Sequence, residues 1–256
     1  MMTDRLQELE HIDEIISNDP ENAPLEVRRQ FWRIVKQIKR DAKPDENEVK
    51  KAARIRNVLF RAKRGRTLPL WPSVTLMFLI GALGPTIWYL RLLEVPITAN
   101  NILAWTASDW WVFLRRLGSL MAATFFYYPL GRLIAGKWAG IRIDGMSRGM
   151  YVEPTLKIDY ESFLLATPTK RKWFFFFSGA WTIITSLALG LVGLLQVGDL
   201  SGVVTVFFLT TSEGAAIISG TTKNIGGEMA HFNRERMIER AWRRNHFKAT
   251  GDQDET

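Results

Sequence analysis

Four long stretches almost free of charge constrain this chain more than any other feature of its sequence. They cover about residues 68–90, 117–138, 173–195 and 202–220, and each approaches the ~20 residues that cross a hydrocarbon core of ~30 Å. Backbone polar groups find no water inside a bilayer, so stretches of this kind are expected to be helices. The fold class that follows is mainly α, a polytopic membrane protein with about four transmembrane helices. Pro69 and Pro72 lie near the start of the first stretch and Pro85 inside it, which predicts a kink there. The fourth stretch is the shortest. An aromatic segment at residues 105–114 precedes the second and suits the membrane interface.

Charge around these stretches sets an orientation. Residues 50–66 hold eight basic residues and no acid, directly before the first stretch, and a second basic cluster occupies residues 234–248. The net charge of +8 is therefore gathered beside the spans, as the positive-inside bias and anionic headgroups produce, and does not point to nucleic acid. Residues 92–109 and 196–201 contain no Lys or Arg, whereas residues 136–172 contain Lys137, Arg142, Arg148, Lys157, Lys170, Arg171 and Lys172. Both termini and the 139–172 loop are thus expected on the cytoplasmic face of the cell membrane. Arg115 and Arg116 break this pattern mildly and are expected to snorkel outward. Residues 1–19 are acidic and lack an apolar core, so no signal peptide is expected and the first span reads as a retained anchor. The absence of cysteine excludes disulfides and thiolate chemistry.

Three regions follow. Residues 1–66 form a polar, basic, helical cytoplasmic region with three helices. The first carries the stripe Leu6, Leu9, Ile12 and Ile16, the second begins at Pro24, and the third covers about residues 45–64. The third places Val49, Ala52, Ile55, Leu59 and Ala62 on one face and basic residues on the other. It can lie on an anionic membrane surface or pack within a helical hairpin. Residues 67–222 form the transmembrane region, and residues 223–256 a basic cytoplasmic tail with a disordered end. In the 139–172 loop, residues 140–144 and 155–159 alternate apolar and polar positions and predict a small two-stranded β element. Residues 160–166 predict a short helix closed by Pro168.

The order of these elements resembles the core of the site-2 protease family, the intramembrane zinc metalloproteases, over roughly residues 117–240. That family carries a His-Glu-x-x-His helix, an Ala-rich turn and a Gly-Ile-Arg-like strand. The matching stretch here is Tyr128-Pro129-Leu130-Gly131-Arg132, then Leu133 to Ala139, then Gly140-Ile141-Arg142-Ile143. Ser178-Gly179-Ala180-Trp181 stands where the family's next helix opens, and Ser212-Glu213-Gly214 where its last core helix brings an Asp.

The resemblance implies zinc chemistry, but the residues for it are replaced. Two His at i and i+4 bind the metal and the Glu between them activates water. Tyr128 and Arg132 occupy the His positions and Pro129 the Glu position, and the fixed charge of Arg132 opposes a divalent cation. His11, His231 and His246 all lie outside the spans. Gly227-Glu228-Met229-Ala230-His231 holds half a zincin motif, and reads as a solvated helix start. Glu213, a carboxylate within a span, either pairs with Arg132 or is solvated by Thr210, Thr211, Ser212 and Lys223. Ser186-x-x-x-Gly190 and Ala215-x-x-x-Ser219 have the small-residue spacing of close helix contacts.

The expectation is a non-proteolytic, membrane-embedded binding or regulatory protein with no catalytic residues and no cofactor. Its degenerate site positions are Tyr128, Pro129, Arg132 and Glu213. An extended segment of a membrane protein partner would bind by edge pairing at Ile141, Arg142, Ile143, Leu156 and Ile158. Two alternatives remain: a divergent active metalloprotease, with zinc on Glu213 and Glu228, and a structural subunit of a membrane complex.

Overall fold

A computed structural model of the chain describes residues 4–98, 101–148, 154–222 and 227–251. The expected turn at residues 149–153, Lys223, and the end of the tail at 252–256 lie outside the described residues. The protein is mainly helical with one small antiparallel sheet. The chain divides into two compact units, Met1–Leu70 with Ala135–Phe174 and His231–Thr256, and Trp71–Ile134 with Phe175–Ala230.

The first unit opens with the three expected helices, α1 (Asp4–Asn18), α2 (Leu25–Ile38) and α3 (Glu46–Arg64). Asp45 caps α3, its carboxylate accepting from the backbone N–H groups of Asn47 and Glu48, which satisfies two of the four free donors of the first turn. Leu9, Ile12 and Ile16 of α1 are buried, as are Phe31, Ile34, Val35 and Ile38 of α2 and Val49, Ala52 and Ile55 of α3. Of the two uses open to the apolar face of α3, packing within the helical region is the one adopted.

The small sheet pairs β1 (Ile143–Arg148) with β2 (Pro154–Ile158), antiparallel. The first strand starts three residues later than its alternation predicts. Its register runs Ile143 to Ile158 and Met146 to Leu156, with a bulge between Ile143 and Gly145. A third short segment closes on β1, because Leu68 and Met146 exchange backbone hydrogen bonds of 2.7 and 3.1 Å. The carbonyl of Leu68 lies where a Cβ on Gly145 would be, 2.5 Å away, so a side chain at 145 would push this segment off. The short helix α7 (Tyr160–Leu165) follows, capped by Asp159.

In the second unit, α4 (Leu70–Gly81) passes through a π-turn at Ala82–Thr86 into α5 (Ile87–Leu93). Pro85 sits in that turn, where its missing N–H and its ring are accommodated by the wider winding. The helix α6 (Ala107–Ala139) is continuous for 33 residues, so most of the aromatic segment before the second span is helical. The long helices α8 (Pro168–Val197) and α9 (Ser201–Thr222) follow, then the first turn of α10 (Glu228–Gly251), whose residues from His231 on belong to the first unit. Three segments among the described residues are long and apolar enough to cross a membrane: Leu70–Leu93, Pro168–Val197 and Ser201–Ile218. Leu79, Leu83, Leu187, Leu191, Val203 and Phe207 on them are exposed, the inverse of a water-soluble surface and suited to lipid. The apolar part of α6 is interrupted by Tyr127, Tyr128, Pro129 and Arg132, and α6 is not among the three.

Candidate functional site

Tyr128 and Arg132 are four residues apart on α6 and so share one face of it. Both reach the same atom, the Glu228 Oε1 in the first turn of α10: the Tyr128 hydroxyl donates to it and the Arg132 Nη2 lies 3.1 Å away. Arg132 and Glu228 are almost fully buried. Gly227, immediately before, has φ +120°, a backbone conformation that suits glycine alone. Glu228 is therefore a buried partner and not the solvated helix start its sequence context predicts. No local pattern announces this, because its two partners lie about a hundred residues earlier in the chain. Its second oxygen, Oε2, is buried with no hydrogen-bond partner among the described residues.

Glu213 approaches the same place. A Cβ built on Gly179 of α8 would stand 3.3 Å from the Glu228 Cβ, 3.8 Å from the Glu213 carboxyl carbon and 3.1 Å from the Met229 Cε. Tyr128, Arg132, Glu213 and Glu228 thus converge around Gly179, with Glu228 as a carboxylate at Arg132. The space beside the helix is filled: a Cβ on Gly131 would be 2.3 Å from the Trp181 side chain, whose indole N–H donates to the Tyr127 carbonyl at 3.1 Å. Pro129 removes one backbone hydrogen bond within α6. Chemically the group offers one neutralised carboxylate, one phenol donor and a second carboxylate nearby. Glu213 and Glu228 are the residues that could contribute to a cation site, and Arg132 works against one. Among the described residues no three His, Cys, Asp or Glu side chains are placed to hold a metal.

A second buried network in the same unit was not legible in the sequence. Arg116 is buried and does not snorkel: its guanidinium donates to the Leu92 carbonyl at 3.1 and 3.0 Å, to the Val95 carbonyl at 2.8 Å and to Asp199 at 3.2 Å. Asp199 also accepts from Tyr89 at 3.0 Å and from Ser201. The only sequence signal is that an Arg and an Asp flank spans in two otherwise nearly uncharged segments.

In the first unit, Glu235 of α10 holds two cations, Lys39 at 2.5 Å and Arg171 at 2.9 Å. Burial pulls the Lys39 ammonium below its ordinary pKa despite the attraction of Glu235. Burial pushes the Glu235 carboxyl up, but Lys39 and Arg171 outweigh it and hold the group below the usual carboxylate value. The residues expected to bind a partner strand are here too. Ile141, Leu156 and Ile158 point into the core and Ile143 is half-buried. The Ile141 N–H bonds the Gly136 carbonyl at 2.9 Å and the Arg142 N–H the Ser162 hydroxyl at 2.9 Å. The Arg142 guanidinium pairs with Asp159 at 2.8 Å.

No protein-family model matches the chain, and neither does any curated protein or any solved structure.

Proposed function

We propose that this chain is a membrane-embedded binding or regulatory protein, built on a site-2-protease-like core and lacking peptidase chemistry. In this reading α6 is the second of four spans. Its 33 residues extend about 50 Å at 1.5 Å per residue, and its two buried cations, Arg116 and Arg132, are neutralised by Asp199 and Glu228. Both termini and the sheet-bearing loop then share the basic, cytoplasmic side of the cell membrane. The observation that carries the reading is the grip of Tyr128 and Arg132 on Glu228. Where a zinc helix would present two neutral imidazoles, this helix presents a phenol donor and a guanidinium, closed on a carboxylate and packed under Trp181. A partner recognised by such a protein would be a membrane protein segment or lipid, held without bond cleavage.

One observation favours a second reading, a divergent metalloprotease: Glu213 and Glu228 approach the same glycine. Metal analysis of the purified protein, with a cleavage assay on transmembrane peptides, separates the two. The binding reading expects sub-stoichiometric zinc and no chelator-sensitive cleavage. It also expects Glu228→Gln to destabilise the protein by about 3–5 kcal/mol, the cost of stranding a buried guanidinium. Stoichiometric zinc that is lost in Glu228→Gln overturns it. A subunit role in a larger complex is tested by stoichiometric co-purification from native membranes.

A further inference from the structure

The π-turn at Pro85 leaves a groove of about 830 Å³ on the second unit, between the turn and α5 on one side and α6 on the other. Gly84 and Trp88 line one wall, Gly118 and Ala122 the other, and Arg91 and Arg115 stand at one end. Both walls are open at a glycine: a Cβ on Gly84 or on Gly118 would meet no heavy atom within 4 Å. The volume lies within the ~300–1,000 Å³ typical of ligand pockets. Between two spanning helices such a groove faces hydrocarbon, and an acyl chain is the occupant that fills it.

The charged end has its own chemistry. Arg91 and Arg115 are exposed, and among the described residues neither has an ion-pair partner, Arg115 resting near the Trp111 ring at 5.9 Å. The acids of the same unit are mostly committed: Asp109 accepts from Thr98 and Thr106, Asp199 from Arg116 and Tyr89, while Glu94 is exposed. Two guanidinium forks without carboxylates match the oxygens of a phosphate diester. The rings of Trp105, Trp110 and Phe113 pack together with centroids 4.9 to 6.0 Å apart, the kind of aromatic group that sits at headgroup level. From Arg91 to Gly84 the helix rises about 10 Å, the right sense and scale for a headgroup at one end and the upper part of an acyl chain along the groove.

We infer that this groove binds one anionic phospholipid, its phosphate between Arg91 and Arg115 and an acyl chain laid along Trp88, Gly118 and Gly84. The inference rests on placing α4 to α6 in the membrane, and not on the loss of peptidase chemistry. The competing account is that each arginine simply snorkels to bulk headgroups, with no seat for the chain.

Native mass spectrometry of the full chain released from nanodiscs of phosphatidylcholine and phosphatidylglycerol distinguishes them. The expected result is one phosphatidylglycerol retained per protein, reduced about ten-fold or more in Arg91→Gln/Arg115→Gln. Gly118→Leu fills the groove from a position with free space and is a better helix former, so it keeps the fold and reduces retention to a similar degree. Wild-type retention in Gly118→Leu, or equal retention of phosphatidylcholine by the native chain, overturns the inference. Failure of the chain to enter nanodiscs at all would instead remove the membrane placement on which it rests.

Discussion

Arg171 shows how a guanidinium is buried in this protein without stranding its donors. It bonds Glu235 at 2.9 Å, the carbonyls of Leu164 and Ala166 at 3.2 and 2.7 Å, and the carbonyl of Lys39 at 2.9 Å. Its replacement by Met strips three carbonyls and one carboxylate of a donor at once. The expected loss is about 3–5 kcal/mol, against about 1–2 kcal/mol for Lys39→Met, which leaves Glu235 paired with Arg171. Denaturant unfolding of both variants in the same detergent checks the order. A pH dependence follows from the same residues. Glu235 is held low by its two cations, and Glu239, despite a burial effect that pushes it up, is held low by hydrogen bonds from Lys172, Thr169 and Arg243. Both folded pKa values lie below the unfolded value of ~4.3. Their stabilisation is therefore present above that value and lost as pH falls through the folded pKa values. Glu235→Gln should lose stability at neutral pH and then decline less steeply than wild type below about pH 4.3. An unchanged acid slope would show that Glu235 is not a contributor.

At the scale of elements, α8 and α9 meet backbone to backbone. A Cβ on Gly190 would lie 2.5 Å from the Gly202 Cα, and one on Gly202 would lie 2.3 Å from the Gly190 Cα. The Ser186-x-x-x-Gly190 spacing marks this face, and Ser186 completes it by bonding Thr124 of α6 at 2.8 Å. The side chain of Ser219, in the other spaced pair, lies outside the described residues. Gly190→Ala should cost about 1–3 kcal/mol through overpacking. Gly214→Ala in α9, where the new Cβ meets nothing within 4 Å, should stabilise by up to about 1 kcal/mol. Thermal unfolding of the pair tests the contrast, and equal effects would mean that α8 and α9 are not in close contact. Pro85 belongs to this scale as well: a disturbance of the first stretch could be read from the sequence, and the form it takes is a π-turn at Ala82–Thr86.

At the scale of the molecule, the number of spans decides the topology. Three spans put the termini on opposite faces of the membrane, and four put them on one. Because the chain has no cysteine, single introduced thiols report directly. Asn101→Cys should react with an impermeant maleimide in intact cells, whereas Arg64→Cys and Lys170→Cys should react only after permeabilisation. Labelling of Asn101→Cys and Lys170→Cys from the same side would exclude the four-span arrangement, because α6 is the helix between them.

Local pattern carried much of this protein. The helices of the amino-terminal region, the short helix before Pro168 and the three helices apolar enough to cross a membrane all depend on residues close together in the chain. Hydrophobic periodicity and proline chemistry act over a few residues, so sequence alone determined them. The partners of charges were a different matter. Glu228 joined Tyr128 and Arg132, Arg116 turned inward to Asp199, and the Arg142 N–H group, ahead of β1, bonded Ser162. Each of these choices is made by distant segments meeting, and a buried charge takes whichever counter-charge the packing brings within about 3–4 Å. Three of the four charge-poor stretches are helices long and apolar enough to cross a membrane, and only the tertiary structure decided how the buried charges beside them are accommodated.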